Sequence, residues 1–271
     1  MSAKQNLIQL SKQIRAKLVQ ISHEAKTPHL GSSLSCVDIL VALYWDILNL
    51  DPKNPIDSNR DRLIFSKGHA ATALYVALQL KGFFPKNILD DYAKPGAILP
   101  EHPVYNSVPG IEATSGSLGH GLPIGLGIAL AAKIQNKDYK VFVLMSDGEC
   151  NEGSVWEAAM LAPAQKLNNL FVIIDFNKWQ ATGRSEEVTS ISSLTEKFSA
   201  FGWKVHDVDG HNIEEIINSI KSTSTTKIPT AIVAHTTKGK GVSFMEDDNN
   251  WHYRIPNEEE LIKALSELEI K

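Results

Sequence analysis

Asp147 and Asn177 lie thirty positions apart, each directly after a short apolar run rich in β-branched residues. Tyr139–Met145 precedes the sequence Ser146-Asp147-Gly148-Glu149, and Leu170–Phe176 precedes Asn177. Between them, Glu157–Leu167 is mostly helix-favouring. Strand, helix, strand makes a βαβ unit whose parallel strands end on the same edge of the sheet. Both side chains then emerge where open α/β sheets take their ligands. Mg²⁺ asks for hard oxygens, few from protein and the rest from phosphate and water. One Asp, one Asn carbonyl and a diphosphate meet that demand. On the pair alone, an ordinary Asp-Gly turn is the plainer reading.

The histidines add a second chemistry. His29 sits in TPHLGSS, His69 in SKGHAA, His102 in PEHPV and His252 in NNWHYR, all turn-like contexts. A single histidine is commonly a surface or satisfied core residue. Four at loop-like positions can converge at one sheet edge. Neutral imidazole both donates and accepts hydrogen bonds and titrates near neutral pH, which suits a polyhydroxylated substrate. Plainer readings apply elsewhere. Gly116 and Gly119 suit a turn before a helix. Glu152 suits a first helical turn, where the dipole favours a carboxylate. Lys238 and Lys240 read as solvated loop charges.

The elements that must position these groups follow from periodicity. Leu7, Ile8, Leu10, Ile14, Leu18 and Ile21 space a helix over 5–25 with one buried face. Val37–Leu48 predicts another. Leu63–Ser66 predicts a short strand running through Lys67-Gly68-His69 into a helix over Ala70–Leu80. Residues 81–117 are rich in Pro and Gly, and a structureless loop of that length marks function. Further on come helices near 118–133, 213–222 and 258–269, and strands near 203–208 and 230–234. Strands alternating with helices predict an α/β fold, a mostly parallel sheet with helices on both faces. The length suits one large α/β domain or two small ones, and no repeat, low-complexity block or flexible linker stands out.

The bulk numbers exclude several classes. With 271 residues, 43% hydrophobic and 21% charged, the chain has the composition of a soluble globular protein. A net charge of −4 argues against nucleic acid as a general partner. The N-terminus lacks the apolar core of a signal peptide. The most apolar run, Leu122–Ala132, is too short to span a bilayer. Two cysteines, Cys36 and Cys150, are too few for a disulfide scaffold, and a reducing cytoplasm is the expected setting.

Taken in order, HLGSSLS, FSKGHAATALY, EHP, ATSGSLGHGL, SDGECNEG, DFN and TTKGKG…WH resemble the N-terminal half of transketolase over essentially the whole chain. The resemblance implies the thiamine diphosphate-binding fold, with Mg²⁺ held by Asp147, Asn177 and the backbone carbonyl of Trp179. It places Gly148 and Glu149 in the cofactor motif. The backbone of Gly116, Ser117 and Leu118 would lie against the cofactor, and His69 near its diphosphate. His29 would touch the donor sugar, His102 the substrate hydroxyls, and His252 both diphosphate and substrate. Glu152 matches a glutamate linked in the family to communication between paired sites. The chain departs from the family's usual residues at Leu30 and Ser117, where proline is common, and at Ser146, where glycine is usual.

A complete transketolase is more than twice this long. Its other half brings a pyrimidine-binding domain, whose glutamate contacts the aminopyrimidine ring. The resemblance therefore implies the N-terminal subunit of a split enzyme. That enzyme would move a two-carbon ketol unit from a ketose, phosphorylated by family analogy, to an aldose. Its partner would be a C-terminal transketolase subunit, in an α2β2 heterotetramer with an apolar face awaiting assembly. Two alternatives stand beside it. The α subunit of a 2-oxo acid dehydrogenase shares the metal motif but gives no reason for the histidine set. A non-catalytic assembly subunit would keep the fold alone.

Overall fold

Among the described residues, five strands, β1 (Arg62–Phe65), β2 (Val141–Ser146), β3 (Leu170–Phe176), β4 (Lys204–Asp209) and β5 (Thr230–His235), form one sheet in the order β1-β2-β3-β5-β4. Every neighbouring pair is parallel. The computed structural model describes residues 3–191, 193–223 and 226–269.

The central strands are continuous apolar runs because both faces are buried. Alternate residues sort to opposite sides. Phe142, Leu144, Phe171, Ile173 and Ile232 join one core cluster, while Val141, Val143, Val172, Ile174 and Val233 join the other. Around the first cluster lie α1 (Ala3–Ala25), α2 (Leu30–Ser35), α3 (Val37–Ala42) and α4 (Ala71–Lys81). The short α5 (Lys86–Asp90) adds Leu89 to it. The second cluster is covered by α6 (Gly121–Ile134) and α7 (Gly153–Ala164), and, beyond the four-residue α8 (Ser185–Val188), by α9 (Leu194–Ala200). The chain returns to the first face with α10 (Ile213–Lys221) and α11 (Glu258–Glu267). After β3 it crosses to the edge strand β4 and comes back to β5, and this reversal moves the crossover helix to the other face.

Local chemistry explains the boundaries. In α10, Asn212 caps the first turn by accepting from Glu215 N, and Ile213, Ile216, Ile217 and Ile220 form the buried face. Asn257 and Glu260 make a reciprocal capping box on α11. Pro163 lies in the last turn of α7 and cannot donate to Ala159 O. Trp203 Nε1 donates to that carbonyl instead, at 2.7 Å.

Three expectations change in detail. The helix predicted from Val37 is α-helical only to Ala42. It then widens into a π-turn over Leu43–Ile47, closed by Leu48 N donating to Leu43 O. In that turn Tyr44 stays buried against Phe83 while Asp46 pairs with Lys221 at 2.5 Å. The helix predicted from 118 starts at Gly121, because Gly119 turns with φ +85° and donates its N–H to Glu149. Residues 81–117 are irregular except for α5, yet Phe83, Phe84, Tyr92, Leu99, Val108 and Ile111 anchor them in the first core cluster. Among the described residues, no helix is long and apolar enough to cross a membrane.

Candidate active site

β2 and β3 are adjacent and parallel, with Ser146 opposite Asp175, so Asp147 and Asn177 leave the sheet side by side. Both are buried. Asp147 Oδ2 accepts from Ser185 Oγ at 2.7 Å, but Oδ1 is buried with no hydrogen-bond partner. Burial is the largest effect on this carboxyl and pushes it up to about 6. A buried carboxylate oxygen without a partner is costly unless a cation faces it. Asn177 Oδ1 accepts from Trp179 N at 3.0 Å and keeps a second lone pair. Among the described residues, no three His, Cys, Asp or Glu side chains converge as a metal-binding group. A cation here would rest on Asp147, Asn177, backbone carbonyl and ligand oxygens. That is a hard-oxygen set which fits Mg²⁺.

The four histidines do meet. The His29 ring centroid lies 5.5 Å from that of His69, 6.4 Å from His102 and 5.0 Å from His252. Tyr253, largely exposed, sets its ring edge-on to His252 at 4.7 Å. His29 holds a left-handed conformation, φ +68°, where it caps α2, and its N–H donates to His252 O at 2.8 Å. Positive φ is uncommon for a non-glycine residue. Two glycines permit the close approach of the other segments. A Cβ on Gly68 would lie 2.6 Å from Gly116 N, and Gly116 has φ +151° with the His102 ring against it. Ser117 and Leu118 continue from Gly116 along the open rim.

Three of these imidazoles are kept neutral. Burial, then the His102 and Lys238 charges, lowers His29 to about 4. Burial, then Lys238, lowers His252 to about 3. His69 falls well below its usual value through burial and then Lys67. Below pH 6.5 the unfolded chain takes up protons that His29 and His252 refuse in the fold. Their contribution to stability is therefore present above about 6.5 and lost as pH falls toward their folded values of about 4 and about 3. Melting temperatures of wild type and His29→Gln should accordingly diverge between pH 7 and pH 4, wild type falling more steeply. Parallel curves would refute the depressed His29 value.

Several groups carry no clear signal in the sequence. Lys238, expected to be solvated, is fully buried. Its Nζ donates to Asn249 Oδ1 at 2.7 Å and to His252 Nδ1 at 3.0 Å, and burial followed by the Lys67 charge lowers it to about 8. As acceptor, His252 Nδ1 carries no proton, so the ring proton sits on Nε2. Lys67 and Asp175 form an ion pair with both side chains 0% exposed. Ser35 and Thr236 hydroxyls also donate to Asp175, and Lys67 donates to Ser32 O at 3.0 Å. This network joins α2, which His29 caps, to the turn of His69 and the end of β3. Its one signal is the charge inside the apolar run Ile173-Ile174-Asp175-Phe176, since a buried charge needs a partner.

Glu149 spends its oxygens inside the protein. Ser66 Oγ and Gly119 N donate to Oε1, the latter at 2.9 Å, and Ser146 N donates to Oε2 at 3.4 Å. It thereby braces the turn that follows Leu118. Gly148 lies close under Gln180, and a Cβ on it would sit 2.9 Å from that side chain. Glu152 is exposed at the start of α7.

Residues 6–268 match the family described as transketolase, thiamine diphosphate binding domain. The chain is 46% identical over 259 residues to one of the subunits of the apulose-4-phosphate transketolase of Phocaeicola vulgatus, covering 95% of this chain and 92% of that one. It is 41% identical to the 6-deoxy-6-sulfo-D-fructose transketolase subunit SqwG of a Clostridium species, covering 89% and 88%. Among solved structures, the transketolase of Campylobacter jejuni superposes with a TM-score of 0.92 at 32% identity, covering 100% of this chain but 44% of that one. This chain thus spans under half the length of that transketolase and nearly the whole of the two subunits.

Proposed function

This chain belongs to the transketolase family, and from that premise we propose that it is the thiamine diphosphate-binding subunit of a split transketolase, transferring a two-carbon ketol unit from a ketose to an aldose. The observation that carries this reading is a single sheet edge holding both the unpartnered Asp147 oxygen and the His29, His69, His102 and His252 rings. Asp147, Asn177 and the Trp179 carbonyl would hold Mg²⁺. His69, His252, Gly148 and the Gly116-Ser117-Leu118 backbone would line the cofactor, with Glu149 bracing that rim. Glu152 would link paired sites. When bound, thiamine diphosphate supplies the electron sink for the two-carbon fragment.

The chain's own residues do the remaining work. His29, His102 and His252 orient sugar hydroxyls and move protons between them. A neutral ring such as His29 suits this task, since it can both donate and accept. His252 offers Nε2–H as donor because Lys238 occupies Nδ1. A C-terminal subunit would supply the pyrimidine-binding domain, with two copies of each subunit. We read residues 1–271 as one diphosphate-binding domain working in the reducing cytoplasm, where the buried free thiols of Cys36 and Cys150 persist. A 2-oxo acid dehydrogenase subunit would leave the histidine cluster without a task. An assembly-only subunit would leave the buried Asp147 oxygen without a reason.

The histidines test the reading in the assembled enzyme. His29→Ala or His252→Ala should lower the rate of ketol transfer by roughly tenfold to ten-thousandfold, the span for lost proton transfer or orientation. Calorimetry should show cofactor affinity suffering less for His29→Ala than for His252→Ala. Wild-type turnover by both variants would make the cluster structural.

A further inference from the structure

The segment after Asn177 is a small hairpin with no regular element of its own. Trp179 and Arg184 face each other as an isolated antiparallel bridge. Gln180 N donates to Gly183 O at 2.9 Å and Ser185 N to Lys178 O at 3.0 Å. The hairpin carries two groups that the cation end of the site depends on. One is the backbone carbonyl of Trp179, and the other is Ser185, whose hydroxyl holds Asp147 Oδ2. Opposite it runs the segment 238–252, a series of turns ending in a 3-10 turn over Asn249–His252, which carries Lys238 and His252.

Asp247 joins the two. Its Oδ1 accepts from Trp179 Nε1 at 2.8 Å and Arg184 Nη1 at 2.7 Å, and its Oδ2 accepts from Arg184 Nη2 at 2.6 Å. The Arg184 guanidinium also lies over the Trp179 ring, 3.7 Å from its centroid. Asp247 N donates to Lys238 O at 2.8 Å, and the residue adopts φ +58°, a conformation that Asp tolerates better than most. A second tie runs through Asn249. Its Nδ2 donates to Ala181 O at 3.1 Å while its Oδ1 accepts from Lys238.

Arg184 and Asp247 are 34% and 52% exposed, and an ion pair at that exposure contributes little by itself. This one differs in geometry. The fork is bidentate, the cation stacks on an indole, and the same carboxylate takes a third donor. It also bridges two segments that otherwise lack ladder hydrogen bonds between them.

We propose that Asp247, gripped by Arg184 and Trp179, is a positioning residue. It locks hairpin 178–185 onto segment 238–252, so that the cation end and the histidine end of the site share one geometry. The proposal rests on the reading that Asp147, Asn177 and Trp179 hold Mg²⁺.

The test uses the full chain assembled with its partner subunit. Amide hydrogen exchange is followed without cofactor, and thiamine diphosphate affinity is measured by calorimetry with and without Mg²⁺. In Asp247→Ala the amides of Gln180 and Ser185 should exchange roughly tenfold faster, as expected for a locally released segment. Mg²⁺-dependent affinity should fall by roughly tenfold, and Arg184→Ala plus Asp247→Ala together should lose no more than the worse single change. Arg184→Lys, which cannot form the fork, should recover only part. Lys86→Ala, breaking a distant surface pair, should change neither readout. Should Asp247→Ala fold poorly, Arg184→Ala carries the same expectations. Unchanged exchange and affinity in these variants, with normal cofactor binding by the wild type, would overturn the clamp alone. No cofactor binding by the wild-type complex would overturn the metal-site reading beneath it.

Discussion

Asp147→Ala should abolish Mg²⁺-dependent thiamine diphosphate binding by the assembled enzyme and leave the fold intact. The first half follows from ligand supply. The proposed site takes side-chain oxygens from Asp147 and Asn177, while Asp175 and Glu149 nearby are committed to internal hydrogen bonds, and a cation with so few protein ligands has no substitute for its one carboxylate. Asp147 Oδ1 lacks any protein partner, so no internal hydrogen bond is lost with it. The second half follows from the sign of the pKa shift. The carboxyl is raised from 3.8 to about 6, so without a cation the fold favours its protonated form. Its ionisation therefore costs the cation-free protein stability as pH rises through that window. Removing the group relieves that cost above pH 6, at the expense of the Ser185 hydrogen bond. The expected signature is lost cofactor binding by calorimetry with an apo melting temperature at pH 7 that is unchanged or higher. Retained affinity would remove Asp147 from the site. Lost affinity with a much lower melting temperature would point to misfolding instead.

How much of the site is legible in the sequence depends on the range of the interaction involved. Asp147 and Asn177 are readable because parallel strands place their C-terminal ends together, whatever else the chain does. The histidines are readable as residue types, but their convergence is not. His102 is brought in by residues 81–117, which fold through scattered anchors such as Phe83, Tyr92 and Leu99, with no period to detect. Asp175 announces that it needs a partner. Lys67 lies 108 positions away, and nothing local selects it among the 27 basic residues. Lys238 reads wrongly as solvated because TTKGKG has the composition of a solvated loop. The fold lays that loop against α2, where a Cβ on Gly31 would sit 3.1 Å from Lys238 Cγ. Ser185, 38 positions beyond Asp147, hides in a polar stretch that gives no sign of its contact with Asp147. Helix α9 escapes for a different reason. Seven residues are too short a window for the helical period to stand out.

The purified chain alone should show no ketol transfer, and adding its partner subunit should restore it. The chain covers nearly the whole of the split-enzyme subunits it resembles but under half of a complete transketolase. The matched region is the thiamine diphosphate binding domain. In the family, the glutamate that contacts the aminopyrimidine ring belongs to the pyrimidine-binding domain. The structure is also open where a partner would close it. The His29 and His252 rings meet an exposed Tyr253 at the rim, and Ile124 of α6 with Met160 and Leu161 of α7 stay exposed on neighbouring helices. Covering such apolar surface favours association, and closing the rim removes water from the reacting centre. Activity should therefore rise with added partner and saturate, as for any complex formed by mass action. Light scattering of the co-expressed pair should give the mass of two copies of each chain. Robust ketol transfer by the single chain, free of any partner, would refute the split-enzyme reading. A stable one-to-one pair with full activity would refute only the tetramer.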